Sequence, residues 1–465
     1  MKLFINTLIF LLFITHNLFA QSTLTATIHN YSEQYTYAYR CYGDTLLLVD
    51  SVKTNAKGKF VFKQFTQQGM YRFNLPRNQW FYILNDGNPI EVETVFQPDF
   101  FYNIATDSLK VIKSEENKLF YTFQNLQQQL NVANYFLLQM MRLYPLSDSF
   151  HSQLVKEYFE RYEAMENFIQ NLPGSKTQAG LIAKAYYQPL NPDWREPDPW
   201  RDSIIAAHFF DYFNPANDFY LHTNILSEKM ENYLQLKTNK KDNYGQPISS
   251  DAFLIDAAQE FLDYTEPNYF NFMFCLDFFL NTFSSNHKEI AFISIYDNYL
   301  KVDDDDCGTH QEDEFSWARK KADAIRGIQI GSFAPNFNIS DNLLLSSIES
   351  DYTLVLFWAT WCPHCLSEIL DIKDIVDGFN KENSNSKLIT VAVSLDTDAE
   401  QWGKFVNENN LFSFLNFSEF KSWESVVAKQ YNVYATPTMF LLDNDKRIIA
   451  KPKTPEELRK VLMRE

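Results

Sequence analysis

From residue 22 to about residue 112, apolar and polar side chains alternate over short runs of the chain. Alternation with a period of two predicts β-strands, and these runs are rich in β-branched and aromatic residues. Turn signals such as Asn55-Ala-Lys-Gly58 and Asn85-Asp-Gly-Asn-Pro89 separate them. The predicted strands are 24–28, 35–42, 45–52, 59–63, 70–75, 80–84 and 90–94. We expect residues 21–113 to form a small antiparallel β-sandwich or barrel.

A helical spacing of apolar positions begins near residue 115, where Leu119, Phe123 and Leu126 fall on one face. Proline residues divide the region that follows, and the stretch near 190–201 is an irregular connection. Further stretches that suit helices are 158–168, 250–265, 268–284 and 311–326. We expect residues 114–327 to form an all-α domain.

The last part of the chain, residues 328–465, alternates strand and helix signals. Buried strands are predicted at 353–358 (TLVLFW) and 387–393 (KLITVAV), with a helix after Cys365 that places Ile369, Ile372, Val376 and Phe379 on one face. Helices at 399–409 and 422–431, a hairpin of 438–442 with 447–450, and a final helix from 455 to about 463 follow. This βαβ then ββα order is that of an α/β thioredoxin fold.

The first twenty residues have the pattern of a secretion signal. Lys2 precedes an apolar run over 3–14 that is too short to span a bilayer, and a small residue, Ala20, follows it. We expect cleavage after Ala20, with an uncleaved anchor or a buried helix as the alternative. Since nothing later resembles a membrane-spanning helix, the mature chain is expected outside the cytoplasm without stable membrane insertion, where disulfides persist.

Charge and motif spacing narrow the function classes. The net charge of −18 repels phosphate backbones and anionic lipids, so no nucleic-acid partner is expected. The acidic run Asp303-Asp-Asp-Asp306 lacks the spaced ligands and the glycine of a calcium loop, and no His or Cys spacing typical of a metal site occurs. We therefore predict neither a metal nor a bound cofactor.

The chain contains 5 cysteines. Cys41 and Cys275 lie among aromatic residues, which predicts small buried apolar side chains, whereas Cys307 follows four aspartates and is predicted to be exposed. A Cys275–Cys307 bridge stays open, because a sequence does not establish connectivity. Cys362 and Cys365 form a C-x-x-C pair.

The C-x-x-C pair lies where a predicted strand passes into a predicted helix. The unpaired amides and the dipole at a helix amino end stabilise a thiolate, so Cys362 is the predicted nucleophile. Cys365, one turn further along, is the predicted resolving thiol that closes the redox-active disulfide. Two inert cysteines or half of a zinc site are the alternatives, but the chain has no second C-x-x-C.

The segment Phe357-Trp-Ala-Thr-Trp-Cys-Pro-His-Cys365 resembles the active-site segment of extracytoplasmic thioredoxin-like oxidoreductases of the TlpA/ResA type. Gly331-Ser-Phe-Ala-Pro-Asn-Phe337 resembles the entry to that domain, Val391-Ala-Val-Ser-Leu-Asp396 its second strand, and Ala435-Thr-Pro-Thr438 its cis-proline segment. The resemblance implies a thiol–disulfide oxidoreductase in the periplasm, with protein thiols or disulfides as substrates and an upstream redox partner. The regions before residue 328 resemble accessory domains of secreted bacterial proteins more weakly.

The same resemblance assigns roles to side chains around the pair. Pro437 is expected to be cis beside Cys362, Thr436 to offer backbone hydrogen bonds to an extended substrate, and Trp361 to contact partners. The position of the buried aspartate in thioredoxin itself is Leu356 here, so that proton acceptor is missing.

Glu368 matches a glutamate common in the TlpA/ResA type, where it would relay the resolving thiol's proton; an exposed first-turn carboxylate is the alternative. The dipeptide Pro363-His364 resembles that of the oxidant DsbA, and His364 either favours the thiolate or is merely solvated. The direction of electron flow therefore stays open.

Two further hypotheses are weighed against this one. Peroxiredoxins share the fold and the Ala-Pro-x-Phe entry, but they need a proline shortly before the reactive cysteine, and the seven residues 355–361 contain none. The other hypothesis is that residues 21–327 form a binding module for a partner protein or an envelope component, which positions the redox domain.

Overall fold

The structure is a computed structural model. It describes residues 22–100, 102–172, 177–187, 198–240, 244, 246, 248, 250–301, 315–383 and 386–463. The predicted signal peptide, the acidic run 303–306 and Cys307 lie outside the described residues. The chain divides into two compact units, the first ending at Ser285 and the second beginning at Asn286. The domain boundaries predicted after residues 113 and 327 remain predictions.

The first unit begins with two β-sheets, in the strand orders β4-β1-β7-β8 and β3-β2-β5-β6. The strands are β1 (Leu24–His29), β2 (Tyr35–Tyr42), β3 (Thr45–Lys53), β4 (Lys59–Phe62), β5 (Gly69–Leu75), β6 (Gln79–Asn85), β7 (Ile90–Val95) and β8 (Lys110–Lys113). Side chains from both sheets, among them Leu24, Phe73 and Phe81, share one buried cluster. Because β1 pairs with β7 in parallel, the expectation of a purely antiparallel region is wrong. A short helix, α1 (Ile104–Asp107), also interrupts the strands.

Helices follow from Glu115. They are α2 (Glu115–Leu143), α3 (Ser149–Gln170), α4 (Gln178–Tyr186), α5 (Asp198–Ala207), α6 (Ile225–Thr238), α7 (Asp251–Thr265) and α8 (Tyr269–Ser285). Ser114 caps α2 by accepting a hydrogen bond from the amide of Asn117, as serine commonly does at a helix start. The helical spacing at Phe123 therefore predicted the right structure, as did the stretches ending near Thr265 and Ser285.

The second unit begins with two helices and continues into a mixed sheet. Its helices are α9 (Glu289–Tyr299), α10 (Ser316–Gly327), α11 (Pro363–Glu382), α12 (Ala399–Glu408), α13 (Val426–Gln430) and α14 (Pro455–Met463). Its strands are β9 (Asn338–Ser340), β10 (Leu343–Leu344), β11 (Tyr352–Trp358), β12 (Leu388–Ser394), β13 (Leu415–Ser418), β14 (Thr438–Leu442) and β15 (Ile448–Ala450). The sequence did not indicate α9.

The mixed sheet has the order β13-β12-β11-β14-β15. Strand β11 lies in its middle because a continuous apolar run suits a strand covered on both faces, and Leu354 to Trp358 are all buried. It pairs in parallel with β12 and antiparallel with β14. Helix α11 buries Ile369, Ile372 and Val376, as their spacing predicted. The expected βαβ unit (β11, α11, β12) and the expected ββα unit (β14, β15, α14) are thus joined in one sheet by the pairing of β11 with β14.

A bilayer-spanning helix would have to be long and continuously apolar. Among the described residues, no helix combines that length with that hydropathy.

Candidate active site

Cys362 is the residue that caps the amino end of α11. Its Sγ atom accepts a hydrogen bond from the backbone amide of Cys365 at 3.3 Å, and Pro363 occupies the first turn, where a missing amide proton costs nothing. Cys362 is 6% exposed and Cys365 1% exposed, so both are buried, Cys365 more completely. Both are free thiols in this structure, which therefore describes the dithiol form.

The two thiols of the pair differ in acidity. Burial by itself raises the pKa of Cys362, but hydrogen bonds with Cys365, Thr436 and the amide of His364 outweigh it and leave that pKa below its ordinary value. For Cys365, burial and the hydrogen bond with Cys362 act in the same direction and raise the pKa to about 12. Cys362 is therefore the more acidic thiol of the pair.

A second loop faces the sulfur of Cys362. The thiol donates a hydrogen bond to the backbone carbonyl oxygen of Thr436 at 3.3 Å, and the Thr436-Pro437 peptide bond is cis, as expected. The register of the sheet explains this meeting, because Phe357 near the end of β11 lies opposite Thr438 at the start of β14. Residues distant in the chain therefore lie beside the sulfur of Cys362.

The remaining predicted side chains near the pair differ in burial and in their contacts. Trp361 is 47% exposed, and its ring packs edge-on against Trp423 with centroids 5.8 Å apart. The His364 side chain is exposed. Glu368 is half-buried, and its Oε2 atom is buried without a hydrogen-bond partner among the described residues. Leu356 is fully buried in the sheet. The role of each stays a prediction.

A buried carboxylate next to the active-site turn was missed by sequence reasoning. Asp396 is 2% exposed, and both of its carboxylate oxygens accept from the backbone amide of Thr360 at 3.1 Å. The hydroxyls of Thr360 and Ser394 also donate to it, at 2.5 and 2.6 Å. The sequence carried a signal, since an aspartate at the end of a predicted buried strand requires hydrogen-bond donors.

A second feature that the sequence did not predict is a set of side-chain contacts to the loop that precedes Pro437. The side-chain amide of Asn432 donates to Glu289 at 2.5 Å and accepts from the ammonium of Lys321 at 2.6 Å. Two residues further on, Tyr434 stacks on His287 with centroids 3.5 Å apart. Side chains on α9, on α10 and just before α9 thus hold the segment that precedes the cis peptide bond.

The other described cysteines differ from the pair. Cys41 and Cys275 are buried free thiols, as predicted, and burial raises the pKa of both, that of Cys41 to about 12. The open question of a Cys275–Cys307 bridge falls outside the described residues. Within the described ranges, no cluster of three His, Cys, Asp or Glu side chains is arranged to hold a metal ion.

Comparison with known proteins places the site in a recognised family. Residues 350–448 match the family described as thioredoxin-like. Thiol-disulfide oxidoreductase ResA of Geobacillus kaustophilus is 27% identical over 145 residues, which cover 29% of this chain and 77% of that protein. Thioredoxin-like protein YneN of Bacillus subtilis is 32% identical over 121 residues, which cover 25% of this chain and 67% of that protein.

Among solved structures, a thiol-disulfide oxidoreductase from Bacteroides fragilis is 28% identical, with a TM-score of 0.25, and the match covers 29% of this chain and 98% of that one. The thioredoxin-like match includes the segment with Cys362 and Cys365 as well as the loop with Pro437. Through this C-terminal region the chain belongs to the thioredoxin-like family, and it is a thiol–disulfide oxidoreductase.

Proposed function

We propose that the chain exchanges disulfides with protein thiols through Cys362 as nucleophile and Cys365 as resolving thiol. The observation that carries the proposal is the opposite acidity of two neighbouring thiols. The pKa of Cys362 lies below its ordinary value, whereas that of Cys365 is raised to about 12. One sulfur is therefore prepared to attack, and the other keeps its proton until a mixed disulfide has formed.

In the reducing direction, the thiolate of Cys362 attacks one sulfur of a substrate disulfide. The substrate S–S bond breaks, a mixed disulfide with Cys362 forms, and the other substrate sulfur leaves as a thiolate. Cys365 then loses its proton and attacks the Sγ atom of Cys362, which closes the intramolecular disulfide and releases the second substrate thiolate. The substrate gains two electrons and the dithiol loses two; the oxidising direction is the reverse.

The proton of Cys365 needs an acceptor in this second step. Glu368 follows Cys365 by three positions, so both side chains lie on neighbouring parts of α11. An unpartnered, buried Oε2 atom on a half-buried glutamate supports its assignment as that acceptor.

The loop with Thr436 and Pro437 supports an extended polypeptide as the substrate. The carbonyl oxygen of Thr436 already accepts from Cys362, and the neighbouring Trp361 offers an exposed apolar ring. We propose that the reaction takes place in the periplasm or otherwise outside the cytoplasm, because the first twenty residues have the pattern of a secretion signal. An upstream redox partner would then return the pair to its starting state.

The test is the redox equilibrium of purified residues 21–465 against glutathione, followed by tryptophan fluorescence, to which Trp361 beside the pair contributes, with Cys362→Ser as the control. A potential near −120 to −180 mV indicates an oxidase or isomerase, and one near −270 mV or lower indicates a reductase. The absence of any cysteine-dependent transition would contradict the proposed exchange reaction.

A further inference from the structure

The ends of β11 and β12 are joined by hydrogen bonds close to Cys362 in the chain. The amide of Leu395, just after β12, donates to the carbonyl oxygen of Trp358 at the end of β11, at 2.8 Å. The indole Nε1 of Trp361 donates back to the carbonyl oxygen of Leu395 at 3.4 Å. Between these two bonds, the amide of Thr360 donates to both carboxylate oxygens of Asp396. The turn that carries the nucleophile is thus bonded to the residues after β12 through Trp358, Thr360 and Trp361.

The carboxylate of Asp396 is the centre of this arrangement. It is 2% exposed, and the donors that the described residues supply to it are all neutral: one amide and the hydroxyls of Thr360 and Ser394. A second bond fixes the turn at Asp396 itself, because its amide donates to Ser394 Oγ at 3.0 Å. A buried carboxylate is retained only where every lone pair has a donor, so these groups hold one another in a single geometry.

The position of Thr360 gives this network a consequence for the chemistry. Thr360 precedes Cys362 by two residues, so the position of its backbone amide affects where the sulfur lies. The sulfur accepts a hydrogen bond of 3.3 Å from the amide of Cys365, whereas the thiol donates one of 3.3 Å to the carbonyl oxygen of Thr436. A hydrogen bond from an amide to sulfur favours the thiolate, and it weakens steeply when distance or angle changes.

We propose that Asp396 is a positioning residue for thiol–disulfide exchange, whose buried carboxylate fixes residues 360–362 so that the Cys362 sulfur keeps its hydrogen bond from the amide of Cys365. The inference rests on the proposed exchange at Cys362. Asp396 touches neither sulfur, and it acts through the backbone of Thr360. A merely structural role would lower the stability of the fold but leave the acidity of Cys362 unchanged in the folded protein.

The experiment compares Asp396→Asn with Asp398→Asn in the full chain. Asp398 lies two residues further on and caps α12 by accepting from the amides of Glu400 and Gln401, so the same change there removes a carboxylate but leaves the active-site turn intact. The thiol pKa of Cys362 is read from its alkylation rate against pH, with the adduct located by peptide mass spectrometry. The exchange rate is measured at pH 7 with a small aromatic disulfide.

In Asp396→Asn, one carboxylate oxygen becomes an NH₂ group that faces hydroxyl and amide donors. We expect the pKa of Cys362 to rise and the exchange rate at pH 7 to fall at least fivefold, whereas Asp398→Asn stays within twofold of the parent. Parental pKa and rate in a folded Asp396→Asn protein would overturn the inference. A parent protein whose Cys362 shows no enhanced reactivity would instead contradict the proposed function.

Thr360→Val keeps the test decisive if Asp396→Asn does not fold. It removes only the hydroxyl that donates to Asp396, at nearly constant side-chain volume. The pKa of Cys362 should rise in the same direction by a smaller amount, and Thr360→Ser, which keeps the hydroxyl, should restore the parental value. Parental acidity and rate in Thr360→Val would also overturn the inference.

Discussion

The Sγ atom of Cys362 lies 3.3 Å from the backbone carbonyl oxygen of Thr436, although 74 residues separate the two in the chain. The contact exists because β11 and β14 pair antiparallel, so that the end of one strand adjoins the start of the other. The helix amide contact of Cys362 is local, whereas this contact depends on the whole sheet. The amide of Cys365 and the side chain of Thr436 both lower the pKa of Cys362, so a local group and a distant one act on the same sulfur.

We expect selective alkylation of Cys362 over Cys365 in the reduced protein. Between pH 6 and 8, iodoacetamide should modify Cys362 while Cys365, whose pKa is raised to about 12, stays unmodified. The midpoint of the Cys362 rate profile should lie below that of a free cysteine, and peptide mass spectrometry locates the adduct. Cys365→Ala should raise that midpoint, because it removes a hydrogen bond that lowers the pKa of Cys362. Equal modification of both cysteines in the folded parent would contradict the assignment.

Glu368→Gln should slow the second step of exchange and leave the first unchanged. The amide cannot accept the proton of Cys365, so closure of the intramolecular disulfide should slow by about 100-fold, in the range for general-base catalysis. Mixed disulfide with a small aromatic disulfide should then accumulate, which acid quenching and intact-mass measurement detect. An exposed first-turn carboxylate would change stability by only about 0.3–1 kcal/mol and leave both rates parental.

Asn432→Gly should destabilise the second unit. The change removes the amide that joins Glu289 to Lys321, and the cost should be about 1–3 kcal/mol in the free energy of unfolding. Glycine is chosen because Asn432 has a φ of 49°, where an alanine side chain would add strain of its own. Urea unfolding measures the loss.

The control for this variant is Asn410→Gly. Asn410 is exposed and has a similar φ of 51°, so the backbone change is matched while no amide bridge is lost. It should stay within about 0.5 kcal/mol of the parent. Equal effects of the two variants would show that the bridge does not stabilise the loop.

Lys229→Met should remove a pH dependence from the stability of the first unit. The Lys229 ammonium is buried against Phe209 and donates to the carbonyl oxygen of Ala185, and burial lowers its pKa to about 8. The unfolded chain keeps this proton up to about pH 10.4, so it binds more protons than the folded chain between the two values. The free energy of unfolding of the parent should therefore rise with pH in that window, relative to the variant.

Between pH 7 and 9.5 this difference should amount to about 2 kcal/mol. Urea unfolding at the two pH values measures it, and Lys156→Met, at a lysine whose side chain is 75% exposed, is the control that should keep the parental slope. An unchanged slope in Lys229→Met would contradict the assignment of the titration to this amine.

The sequence by itself predicted the strand and the helix on either side of the C-x-x-C pair, and the pair itself. Helix α11 begins at Pro363 and buries Ile369 and Ile372, because apolar spacing and a helix start are local properties that a few consecutive residues contain. For the same reason, consecutive residues were enough to predict that Cys362 lies at the amino end of a helix. The position of β11 was also predictable, since an unbroken apolar run is typical of a strand that is buried on both faces.

Only the tertiary structure decided which distant groups meet that pair. The parallel pairing of β1 with β7, the bonds of Asp396 to Thr360 and the bridge from Asn432 to Glu289 join segments far apart in the chain. The type of a residue and its neighbours in the chain do not specify such a partner. Strand order and register specify it, and these arise from burial of the whole core. The acidity of Cys362 combines the two: its hydrogen bond from the helix amide could be foreseen from consecutive residues, and the lowering of its pKa by the side chain of Thr436 could not.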